Sequence, residues 1–189
     1  QSIARYFYEQ NPITAQVYLP YLQYLQQKNI AENETKAWLN NIIATLYRTM
    51  GNYTLSLELF QESVNILEQI LDYEHPDKAS IYNNIALTYQ KLGNYTKTLE
   101  YQEKCLVILK KILKPKHLEL ATIYNNIGIT YQKLENYTKA LEYQKKCLNI
   151  QEETLGNEHL EMFKIYNNIG LTYKKMNNYN KAFLYQKKC

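Results

Sequence analysis

The stretch IYNNIALTYQKLGNYTKTLEYQEKCL, residues 81–106, returns as IYNNIGITYQKLENYTKALEYQKKCL at residues 123–148, with 21 of 26 positions identical at an offset of 42. A third copy, IYNNIGLTYKKMNNYNKAFLYQKKC, occupies residues 165–189. A more divergent copy begins at Trp38, and its Tyr47, Gly51 and Tyr53 stand 42 residues before Tyr89, Gly93 and Tyr95. A fixed period of this length marks a repeat architecture. Within each copy two apolar stripes run at helical spacing. Tyr82, Ile85, Ala86 and Tyr89 fall at i, i+3, i+4 and i+7. Thr98, Tyr101, Cys105, Ile108 and Ile112 form the second stripe. Gly93-Asn94 separates them, with Gly51-Asn52, Glu135-Asn136 and Asn177-Asn178 at the equivalent turns. The reading is an all-α stack of antiparallel helix pairs. One copy alone cannot bury its stripes, and stacking produces a continuous core.

The composition agrees with helices. Five Gly and four Pro in 189 residues are few for an all-β chain, and 46% apolar residues are too many for a disordered one. No apolar run reaches the length of a membrane span. Net charge is +4, unevenly spread: residues 1–77 carry 4 Lys/Arg against 9 Asp/Glu, residues 78–189 carry 18 Lys against 9. The basic part favours acidic partners. The chain starts at Gln1 and stops at Cys189 within an expected helix, which reads as a fragment of a longer protein.

The pattern Tyr-x-x-Ile-Ala/Gly-x-x-Tyr, a turn, then Tyr-x-x-Ala/Thr-Leu resembles the tetratricopeptide repeat. The 42-residue unit, the pairs Asn83-Asn84, Asn125-Asn126 and Asn167-Asn168, and the linkers His75-Pro76, His117-Leu118 and His159-Leu160 resemble the kinesin light chain type. Pro follows His only once, a departure from that pattern. The resemblance spans about residues 36–189 and implies a right-handed superhelical solenoid whose first helices line a concave face. The expected organisation is a degenerate helical cap over 1–35, a divergent repeat over 36–77, repeats over 78–119 and 120–161, and a truncated repeat over 162–189. In the cap, Pro12 opens a helix interrupted by Pro20, Ser2–Gln10 form a shorter one, and Thr35 caps the next.

Residues away from the core stripes make the candidate binding face: Asn83, Asn84, Leu87, Gln90 and Lys91; Asn125, Asn126, Ile129, Gln132 and Lys133; Asn167, Asn168, Leu171, Lys174 and Lys175. In the divergent copy they become Asn41, Thr45, Arg48 and Thr49. Asn side chains donate to and accept from an extended backbone, Lys attracts carboxylates, and Leu87, Ile129 and Leu171 offer an apolar floor. Kinesin light chain-like arrays bind short peptides with an aromatic anchor flanked by acids. The resemblance therefore implies an adaptor for an acidic or aromatic-acidic peptide. Two alternatives are a regulatory module of a larger multidomain enzyme and a self-associating structural array. The competing role for the Asn pairs is hydrogen bonding between helices of the stack.

His75, His117 and His159 lie in successive layers about 10 Å apart, too far for shared metal ligation, and read as linker residues. Cys105, Cys147 and Cys189 replace Ser63 of the first copy and read as small, reduced core residues, which suits a cytoplasmic setting. The sequons at Asn52, Asn94 and Asn136 coincide with the turns. Neither a nucleophile–base–acid set nor a Gly-rich phosphate loop is present, so the chain reads as non-enzymatic and without cofactor. The aromatics belong to the core stripes and leave few for base stacking, which argues against nucleic acid.

Overall fold

The computed structural model describes residues 12–27, 33–72, 74–156 and 159–188. Among them are nine helices and no strand. They fall into two compact units, residues 1–93 and 94–189.

The first unit holds α1 (Pro12–Gln27), α2 (Asn33–Thr49), α3 (Tyr53–Ile70) and α4 (Pro76–Lys91). Pro12 stands at the start of α1, where its missing N–H costs no helical bond, and Pro20 lies inside that helix. Leu19 and Leu22 of α1 join Leu39, Ile42, Ile43 and Leu46 of α2 in one apolar cluster. Gln26 Nε2 donates to the buried Asn40 Oδ1 at 2.6 Å, and Gln23 Nε2 donates to the Tyr47 hydroxyl at 2.8 Å. Thr35 lies within the first turn of α2, not at its cap, because the helix already begins at Asn33. The expected helix over Ser2–Gln10 falls outside the described residues.

The second unit holds α5 (Tyr95–Ile112), α6 (Leu118–Lys133), α7 (Tyr137–Leu155), α8 (Leu160–Lys175) and α9 (Tyr179–Gln186). Tyr131 packs against Tyr143 at 5.6 Å between ring centres, and Tyr173 repeats the contact with Tyr185 one layer on. At Gly128, α6 and α7 approach closely. A Cβ there would lie 2.8 Å from Gln144 Cγ and 3.3 Å from the Ala140 carbonyl oxygen. Each fully buried Ile or Leu at these interfaces contributes about 1.5–3 kcal/mol.

The turns explain two sequence features. Each of the four turns that end in Asn places the residue before that Asn in the left-handed region: Gly51, Gly93, Glu135 and Asn177 have φ of 81°, 72°, 58° and 58°. The next residue is always Asn, and its side chain accepts from the backbone N–H three residues on, as Asn52 does from Leu55 and Asn136 from Lys139. The sequon asparagines are therefore N-caps. The linker histidines act likewise. His75, His117 and His159 Nδ1 accept from the N–H groups of Asp77, Glu119 and Glu161 at 3.2–3.3 Å. Ser63 is buried and donates to the Ala37 carbonyl, while Cys105 and Cys147 are buried free thiols. Cys189 lies outside the described residues.

Candidate functional site

The first helices of adjacent repeats face one another within each unit: α2 and α4 in the first, α6 and α8 in the second. Most of the predicted residues sit on these helices with part of their surface open. Asn41, Arg48, Asn83 and Leu87 are half-buried and Lys91 is exposed in the first unit. In the second, Asn125, Asn126, Ile129 and Asn168 are half-buried, and Lys133, Asn167, Leu171 and Lys175 are exposed.

Asn84 is the exception, with 1% of its surface accessible. Its Nδ2 donates to Asn41 Oδ1 at 3.0 Å, and its own oxygens accept from Arg48 Nη1 at 3.1 Å (carbonyl) and 3.3 Å (Oδ1). This amide is spent on the stack and is closed to a ligand, which corrects its placement among the binding residues. The physical reason is position: one residue further along the helix turns it toward the neighbouring layer. The second unit repeats the device. Asn168 Nδ2 donates to Asn125 Oδ1 at 3.0 Å, and Gln132 Nε2 donates to the Asn168 carbonyl at 3.1 Å and to Thr172 Oγ1. Arg48 and Gln132 occupy repeat-equivalent positions and do the same work with different chemistry.

The Arg48 bond also fixes the amide orientations. Arginine only donates, so the Asn84 atom it meets is the oxygen, and the atom facing Asn41 is the nitrogen. Asn41 must then present its oxygen to the stack. Its amide N–H groups have no protein acceptor among the described residues, and those of Asn125 are in the same position.

Several lysines of the second unit are paired with carboxylates on their own helix, Lys164 with Glu161 among them. Lys97 and Lys104 both pair with Glu100, and Lys146 pairs with Glu142 at 2.6 Å. The hydrogen bonds from Lys97 and Lys104 hold the Glu100 carboxyl below its ordinary range, and Lys146 does the same for Glu142. Lys139 and Lys146 also lie over the Tyr131 and Tyr143 rings at 5.2 and 4.8 Å. On the first helices, Lys133, Lys174 and Lys175 are exposed, and among the described residues no carboxylate pairs with them. Among the described residues no three His, Cys, Asp or Glu side chains gather where they could hold a metal ion. No described helix is long and apolar enough to cross a membrane.

Stacked helix pairs with a polar first-helix face define a class of helical repeat proteins. The tetratricopeptide repeat model matches residues 35–97, 77–153 and 119–189, and the chain belongs to that family. Its fold is shared by a kinesin light chain-like protein of Podosopora anserina with nearly identical TPR-like repeats, at TM-score 0.82 and 21% identity over 98% of this chain and 88% of that one. BtubC (BKLC) from P. vanneervenii matches at 0.74 and 20% identity, over 95% of this chain and 71% of its own. The apo form of RapI matches at 0.80 and 22% identity, over 96% and 64%. No curated protein sequence gives a significant match. The chain is thus a tetratricopeptide repeat array. Tetratricopeptide repeat proteins are in general protein-interaction scaffolds.

Proposed function

We propose that the first-helix faces bind an extended, acidic peptide segment of a partner protein. The observation that carries this is the uncommitted amide N–H of Asn41 and Asn125. An extended backbone carries a carbonyl acceptor at every residue, which these N–H groups can meet. Lys133, Lys174 and Lys175 lack internal carboxylate partners and are free to pair with acidic side chains. Half-buried Ile129 and exposed Leu171 give an apolar contact for an anchoring ring.

The test is a selection of short random peptides on the intact chain, followed by affinity measurement. Selected peptides are expected to be rich in Asp and Glu. Replacing Lys133 and Asn167 together by Ala should weaken them by about 1–2 kcal/mol, one hydrogen bond and one exposed ion contact. Asn167 is exposed and holds no interlayer bond, so the fold should persist. Peptides indifferent to both substitutions would overturn the reading.

A further inference from the structure

The first unit contains a cavity of about 330 Å³ that the peptide face alone does not explain. It opens between the first turns of α2 and α4. Glu34 and Asp77 line it on either side, Trp38 forms an aromatic wall, and Leu67 and Ile81 supply an apolar floor. Trp38 is the chain's single tryptophan and keeps 44% of its surface exposed, although a buried role would be the ordinary use of so large a ring.

The repeat itself provides the comparison. At Trp38's position the later copies carry Ser80, Thr122 and Lys164, so no other layer has the aromatic wall. At Asp77's position they carry Glu119 and Glu161. In the second unit, Lys164 Nζ sits 2.8 Å from Glu161, so that layer supplies its own cation. In the first unit the residue equivalent to Lys164 beside Asp77 is Ser80, which is too short and uncharged. The nearest titratable partner is His75, whose Nδ1 lies 3.6 Å from the Asp77 carboxylate. That nitrogen also accepts from the Asp77 N–H at the start of α4. Among the described residues, no Lys or Arg lines the cavity.

We infer that this cavity takes a cationic side chain, arginine or lysine, from the bound peptide. Two carboxylates match the charge, the indole face attracts the cation by its quadrupole, and Leu67 and Ile81 receive the methylene stem. The inference rests on reading the first-helix face as a peptide surface, because Asn41 lines both. It adds a rule to that reading: the segment that meets the Trp38 layer carries a basic residue.

The single tryptophan makes the test direct. The indole N–H resonance of the intact chain is followed while N-acetyl-arginine amide, N-acetyl-lysine amide or N-acetyl-citrulline amide is added. The arginine and lysine probes should shift it saturably, with affinity on the order of millimolar, and the neutral citrulline probe should not. Glu34→Gln with Asp77→Asn should weaken the response about tenfold or more, and an unchanged melting profile would confirm that the unit is still folded. A citrulline response equal to that of arginine, or full binding by the double variant, would overturn the pocket. Failure of the cation probes while selected peptides still depend on Lys133 and Asn167 would remove this site alone. A cation response from a chain that binds no peptide would overturn the occupant assigned here together with the reading of the face.

Discussion

Asn84 and Asn41 carry the same side chain and do different jobs because one is sealed between layers and the other is half open. The buried member closes a small network of Arg48, Asn41 and its own backbone carbonyl. Replacing Asn84 by Ala strips partners from two neighbours in a site with 1% exposure. It should cost about 1–3 kcal/mol, the penalty for leaving buried polar groups unpaired. Replacing Asn83, which is half-buried, should cost distinctly less. Urea denaturation of both variants checks the order, and equal costs would show that the interlayer network is not what holds Asn84.

At the scale of the element, four turns between helices each depend on one left-handed residue followed by an Asn cap. Two turns use Gly there, one uses Asn177, and one uses Glu135 with φ of 58°. Asn tolerates that conformation better than most residues, but Glu has no such allowance. Glu135→Gly should therefore stabilise the α6–α7 pair by about 1 kcal/mol, since relieved backbone strain outweighs the added freedom of the unfolded chain. The repeat already contains the answer at Gly93, where a Cβ would meet nothing within 4 Å. A lowered melting temperature for the variant would contradict this account. The turns were readable because glycine and asparagine mark them in sequence. That the Asn side chain accepts from the N–H three residues on, and that the linker histidines cap through Nδ1, needed the backbone geometry.

Across the whole molecule, stability is tied to pH through buried acids that resist ionisation. Burial pushes the Cys105 and Cys147 thiols up to about 12, with Glu119 and Glu161 adding repulsion. Burial also raises the Tyr143 and Tyr185 hydroxyls. An unfolded cysteine ionises near 8.5, so as pH rises the unfolded chain releases its protons first. The stabilising difference is intact below about pH 8.5 and is lost progressively toward 12. Each thiol should remove about 1–2 kcal/mol by pH 10. Denaturation midpoints at pH 7 and pH 10 check this, and Cys105→Ser with Cys147→Ser should flatten the dependence. A midpoint unchanged up to pH 10 would mean that the thiols are open to solvent.

The sequence by itself determined the helix pairs, their period, their stacking and the family. Those follow from the spacing of apolar residues, a local and repeating signal that survives in every copy. It also identified the helices that carry the candidate face. It did not separate Asn41 from Asn84, because hydrogen-bond partners lie 43 positions apart and depend on which way each layer is turned. Trp38 read as the first residue of a degenerate copy. Only the packing of α2 against α4 revealed that it walls an acidic cavity, since a cavity is a property of surfaces brought together and has no signature along the chain.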